Sequence, residues 1–180
     1  LAYEGQYQQS PTPEAGGFFK SHWWGYYKKT DLQASWDLII ASWDMSFKKT
    51  ESGSFVVGGI IGYKKFPPDH RLAGPKFMLL ELVRDRWDFP TSKKEVIAQL
   101  ARWPNVHACL IEDKANGPAI IADLRRSHGR VIAIEPEGGK MARAAAASPL
   151  VEAGDFLLPE EAMGKQWVTD FKDECRVFPL

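Results

Sequence analysis

The chain has 180 residues, with 23 Lys+Arg against 23 Asp+Glu and a formal net charge of zero. Hydrophobic residues make up 44% and charged ones 26%, which argues against disorder and suits one domain with a real core. No apolar run approaches the roughly 20 residues that span a bilayer, and Leu1-Ala2-Tyr3-Glu4 lacks the pattern of a signal peptide. Two cysteines, Cys109 and Cys175, exclude a disulfide framework and make a reducing compartment the default.

Gln6 to Gly17 has the Pro, Gly and Gln content of a linker. Phe18-Phe19 and Trp23-Trp24-Gly25-Tyr26-Tyr27 follow, a cluster costly to leave in water. Residues 1–30 therefore read as an interdomain connector whose aromatic end packs on the domain or meets a neighbour, and residues 31–180 as the domain itself. Trp36 to Asp44 is a short, mostly apolar run, as a central strand requires. Ser54 to Tyr63 is a second strand, β-branched but punctuated by glycine. Lys64 to Lys76, with Pro67-Pro68, Gly74-Pro75 and five basic residues, reads as a long exposed loop before a third strand at Phe77 to Arg84. Three strands without an intervening helix predict an antiparallel meander.

A helix capped by Thr91 or Ser92, with Glu95 completing a capping box, should then run to about Arg102. Val106 to Ile111 is a fourth strand, Asn116-Gly117-Pro118 opens a helix that stops near Gly129, and Val131 to Ile134 is a fifth strand. Gly138-Gly139 leads into a helix from Lys140 to Ala147. The order β-β-β-α-β-α-β-α predicts a mixed α/β sheet of five strands, three antiparallel and two parallel, flanked by helices.

Several chemistries find no support. Gly138-Gly139-Lys140 is followed by Met141 and fails the phosphate-loop pattern. The glycines at 58, 59 and 62 do not spell a dinucleotide fingerprint, no G-x-S-x-G elbow occurs, and Cys and His are scattered without zinc spacing. Acids at strand ends remain. Asp44 ends the first strand and Glu112-Asp113 the fourth, and either alone would pass for a turn or helix cap. In the inferred topology those two strands are parallel neighbours, so their acids meet at the edge where open α/β sheets carry their sites. Two close carboxylates repel unless a cation lies between them, and Mg²⁺ or Mn²⁺ prefers such oxygen ligands. Two ions about 4 Å apart would serve phosphodiester hydrolysis. Alternation puts Glu112 and Asp113 on opposite faces, so one should be the primary ligand, and Glu112 is favoured.

Ser42-Trp43-Asp44-Met45-Ser46-Phe47-Lys48 with its glycine-rich next strand resembles the first acidic motif of phage large terminase subunits, and Leu110-Ile111-Glu112-Asp113-Lys114-Ala115-Asn116-Gly117 resembles their second. Ile134 to Ala144 and Pro149 to Pro159 also fit, so the resemblance extends from Tyr7 to Pro179. It implies an RNase H-like nuclease domain, the C-terminal half of a motor that cuts concatemeric viral double-stranded DNA and packs it into a procapsid. It further implies an N-terminal ATPase domain on the same polypeptide, portal and small terminase subunit as partners, and action in the host cytoplasm, transiently at the portal. Asp44 and Glu112 would be the acids, with Asp113 as neighbour or substitute. The family adds a third acid, usually in an Asp-Asp pair shortly after an aromatic–proline step like Phe178-Pro179. The sequence given ends at Leu180, so the expectation is that a further stretch supplies that acid, with Asp170, Asp173 or Glu174 as substitutes.

Duplex DNA demands cationic phosphate contacts. Candidates are Lys48 and Lys49 beside Asp44, then Lys64, Lys65, Arg71 and Lys76 on the long loop. Lys140 and Arg143 sit at a helix start, where positive charge opposes the helix dipole and so calls for another reason. Two other functions fit these residues: a resolvase or exonuclease of the same fold, or a non-catalytic docking or DNA-binding module of the motor.

Overall fold

The computed structural model describes residues 18–33, 35–45, 55–112 and 117–179. Among the described residues seven strands are present: β1 (Gly25–Tyr27), β2 (Leu38–Asp44), β3 (Val56–Phe66), β4 (Gly74–Asp85), β5 (Ala108–Glu112), β6 (Val131–Ile134) and β7 (Phe156–Pro159). They form one sheet in the order β1-β7-β4-β3-β2-β5-β6. β2, β3 and β4 pair antiparallel, while β5 and β6 join beside β2 in parallel, as the meander followed by crossover helices requires. Among the described residues four α-helices flank the sheet: α1 (Phe89–Arg102), α2 (Gly117–Ser127), α3 (Lys140–Glu152) and α4 (Trp167–Val177).

The strands bury alternate residues, which gives the sheet two unlike faces. Ile39, Ala41 and Trp43 of β2 join Cys109 and Ile111 of β5 in the main core, against Val96 of α1 and Ile120 and Leu124 of α2. The opposite face carries a smaller core of Trp24, Leu79, Val151 and Leu158, onto which Trp167 and Phe171 of α4 pack. It ends short of β2, β5 and β6, where Ser42 and Asp44 are exposed and Ile132 and Ile134 are 46% and 36% exposed. Among the described residues, one face is therefore closed by helices and the other is left open along the strands that end in the acids.

The sheet is wider than five strands. β7 pairs parallel with β4, and β1 parallel with β7. These additions are three and four residues long and pair with distant segments, so no local periodicity announces them. Phe18 to Tyr27 contributes this edge strand and buried aromatics: Trp24 packs edge-on to Phe171 with ring centroids 5.6 Å apart, and the Tyr27 hydroxyl donates to the Leu79 carbonyl at 2.9 Å.

Three local expectations are corrected. The long basic loop is shorter, because Lys64 and Lys65 remain on β3 and pair with Lys76 and Pro75 of β4, leaving 67–73 as the connection. A two-stranded ladder tolerates charged side chains at its exposed end. α1 begins at its cap Asp88, whose carboxylate accepts from the Thr91 N–H at 2.9 Å, and not at Thr91 or Ser92. Pro90 sits at the first turn, where it has no N–H to lose. α3 continues to Glu152 through Pro149. Pro149 cannot donate to the Ala145 carbonyl one turn back, and the Ser148 hydroxyl donates to that carbonyl instead, at 3.1 Å.

Candidate active site

β2 and β5 are parallel and adjacent, with Trp43 opposite Ile111 as their last paired residues. Asp44 and Glu112 are the next residue of each strand, so the two acids stand side by side at the C-terminal rim, on strands about 4.8 Å apart. Their strand neighbours Trp43 and Ile111 are fully buried in the helix-covered core, which turns both acids to the open face. Asp44 is exposed and Glu112 half-buried. Asp113, Lys48 and Lys49 lie outside the described residues.

The rim is held from behind. Trp43 is 2% exposed, and its ring occupies the space above Gly58, its partner on β3. A Cβ at Gly58 would come within 2.5 Å of that ring, so the glycine in this strand is the cavity that admits the tryptophan. The Gly58 carbonyl accepts from the Gln99 side chain of α1 at 3.4 Å. Gln99 also donates to Glu81, which accepts from Trp103 at 2.7 Å and Arg102 at 2.5 Å. Burial works against ionisation of Glu81, but the hydrogen bonds from Arg102, Trp103 and Gln99 outweigh it and hold the carboxyl below the usual range.

In front of the rim lies a small cleft of ≈ 310 Å³ lined by Ser42, Leu110, Glu112, Ile134 and Arg143 among others. Arg143 comes from the second turn of α3, whose first turn begins at Gly139 with no side-chain cap. Arg143 and Lys140 also line a second, larger cavity on the same face, together with Asp170 and Glu174 of α4. The basic residues at the start of α3 are thus brought to the acids' face.

The other predicted cations among the described residues are not. Lys64 and Lys65 lie at the opposite end of the sheet, about 25 Å along the strands from Asp44. The Lys64 ammonium donates to the Ser35 carbonyl. Arg71 is paired with the buried carboxylate of Asp31, and Lys76 with Asp155 at 2.6 Å. Lys64, Arg71 and Lys76 each have a structural partner that fixes the far end of the sheet.

Of the acids on α4, Glu174 meets Arg84 at 3.1 Å and Asp173 meets Arg176 at 3.7 Å, while Asp170 faces the larger cavity. Among the described residues no three His, Cys, Asp or Glu side chains converge to hold a metal ion. The two rim carboxylates are hard oxygen donors suited to a divalent cation, and they supply part of a ligand set. Sequence reasoning missed Ser42. It stands two residues before Asp44, and period-two alternation alone puts it on the same face.

Similarity to known proteins bears on the family and the fold. Residues 41–179 match the terminase RNaseH-like domain family. Among solved structures, the large terminase nuclease from thermophilic phage G20c with bound zinc superposes with a TM-score of 0.53 at 11% identity, covering 76% of this chain and 69% of that one. The large terminase from another thermophilic bacteriophage gives a TM-score of 0.48 at 10% identity, covering 71% of this chain and 30% of that one. The ADP complex of that second terminase gives 0.48 at 11% identity, covering 80% and 35%. The chain therefore spans about a third of the length of that large terminase. No curated protein matches. With most of its length inside the family match and an RNase H-like sheet, this chain belongs to the terminase RNaseH-like domain family.

Proposed function

We propose that the chain is the nuclease domain of a phage large terminase and hydrolyses phosphodiester bonds of concatemeric double-stranded viral DNA with a pair of divalent cations, Mg²⁺ or Mn²⁺. Asp44 and Glu112 would supply part of the ligand set, and further acids would complete it. The single observation that carries this reading is the pair Asp44 and Glu112, in register on neighbouring parallel strands and turned to the open face. When bound, such cations lower the pKa of water and stabilise the leaving oxygen.

The chain's own residues account for the remaining roles. Asp44 and Glu112 would hold the cation, and the rigid ladder between β2 and β5 fixes their separation. Arg143 and Lys140 would take the phosphate, helped by the unsatisfied N–H groups at the start of α3. Asp113 would stand in as a neighbouring acid, and Lys48 and Lys49 would add phosphate contacts beside Asp44. The contacts proposed for Lys64, Lys65 and Arg71 would need DNA to reach the opposite end of the sheet. An N-terminal ATPase domain, the portal and the small subunit are the partners this reading entails, in the host cytoplasm at the procapsid. The docking-module alternative loses support, because Trp24 and Tyr27 are spent in the domain's own core.

The test is plasmid incubation with Mn²⁺ or Mg²⁺, comparing the chain with Asp44→Ala. Relaxed or linear product that disappears in the variant supports the nuclease. Equal cutting by both proteins would remove Asp44 from the site, and an intact plasmid together with no Mn²⁺ binding would remove the nuclease.

A further inference from the structure

A cavity of ≈ 680 Å³ lies between the acids' face of the sheet, α3 and α4. Its walls include Trp167, Phe171 and Phe178, and its charged rim includes Lys140, Arg143 and Asp170. The size is that of a pocket for a small organic molecule. Arg84 and Glu174, also in the lining, neutralise one another at 3.1 Å. Among the described residues Lys140 and Arg143 form no salt bridge, so two cations face the single carboxylate of Asp170.

The cavity adjoins the acid rim in two ways. Arg143 lines both it and the cleft that contains Glu112. Val57, in its wall, is the register partner of Asp44. Flat aromatic walls beside a cationic rim match a ligand with a planar ring and a negative charge, and a carboxylate among them suits an exocyclic amino group. A nucleotide has all three features.

We propose that this cavity receives one unpaired nucleotide of the DNA strand being cut, its base against the aromatic walls and its phosphate against Lys140 and Arg143. The identity of the strand rests on the nuclease reading above, whereas the pocket's chemistry does not. Taking a base out of the stack is least costly where pairing is already broken, so the pocket favours nicked or frayed sites.

The experiment has a binding arm and a strand arm. In EDTA, the chain is titrated by calorimetry with deoxyadenosine monophosphate, deoxyribose 5-phosphate and inorganic phosphate. The nucleotide should bind about ten-fold or more tighter than the sugar phosphate, the range for one stacked base. Ala144→Phe, which fills the cavity from α3, should abolish that difference. The double change K140E/R143E, at the cavity's charged rim, should weaken all three ligands and serves if Ala144→Phe does not fold. In the strand arm, the emission of 2-aminopurine beside a nick in a duplex should change on binding, and not with Ala144→Phe. Equal affinity for nucleotide and sugar phosphate, or 2-aminopurine emission that does not change on binding, overturns the proposal. Plasmid cutting that persists alongside those results sinks the pocket and leaves the nuclease standing, while nucleotide binding without any cutting does the reverse.

Discussion

Gly58 of β3 lies directly opposite Trp43 of β2, and a methyl group on Gly58 would come within 2.5 Å of the tryptophan ring. The ring cannot move outward, because it is 2% exposed and tilted against Trp87 with centroids 6.5 Å apart. Gly58→Ala should therefore destabilise the fold by about 1–3 kcal/mol, the usual cost of overpacking a core. Urea denaturation measures the loss. Because Asp44 follows Trp43 directly, Mn²⁺ affinity should fall as well in the folded variant.

Asp44→Asn and Glu112→Gln should each cut plasmid hydrolysis by more than about 100-fold, beyond what loss of a metal ligand's outer partner costs. Both side chains are at least partly exposed, so melting temperatures should stay close to that of the parent. A variant that melts normally and still cuts would exclude its carboxylate from the site.

Arg143→Ala and Lys65→Ala separate the two ends of the sheet. Removing one phosphate contact lowers the slope of log affinity against log salt by about 1. That change should appear for Arg143, which shares the cleft with Glu112, and not for Lys65, which is at the far end of the ladder. Filter binding to duplex DNA over a salt series gives both slopes.

Glu81 makes stability depend on pH in a defined direction. Its carboxyl is held below the ordinary glutamate value of roughly 4.3 in the fold, so its charge stabilises the native state above that value. The contribution fades as pH falls through the lower native value, because the neutral acid loses its ionic partner Arg102. Thermal melts from neutral to acid pH should show the parent losing more stability than Glu81→Gln below about pH 4, with the variant less stable at neutrality.

The centre of this fold was legible because it is written in local pattern. The apolar run ending at Asp44 and the strand ending at Glu112 each carry their own alternation, and handedness rules make them parallel neighbours. What escaped depends on distant partners. Gly25-Tyr26-Tyr27 becomes a strand only because Leu157 to Pro159 lies beside it, and Gly58 reveals its purpose only once Trp43 is seen across the ladder. The role of Lys64 and Lys65 was obscured because a run of lysines beside Pro67-Pro68 reads equally well as loop or as ladder end. Ser42 was within reach of the alternation rule, but a neutral hydroxyl beside Asp44 carries no charge signal of its own.

The pairing of β1 with β7 also sets a condition on biosynthesis. The two strands are separated by most of the chain, so the sheet edge at Gly25 stays without its neighbour until Phe156 has left the ribosome. During that interval Trp23, Trp24 and Tyr27 are the residues most available to holdase chaperones. Stalled or truncated products that lack the last strand should accordingly be insoluble, and a fragment starting after Tyr27, which loses the buried Trp24 and Tyr27, should be no more soluble.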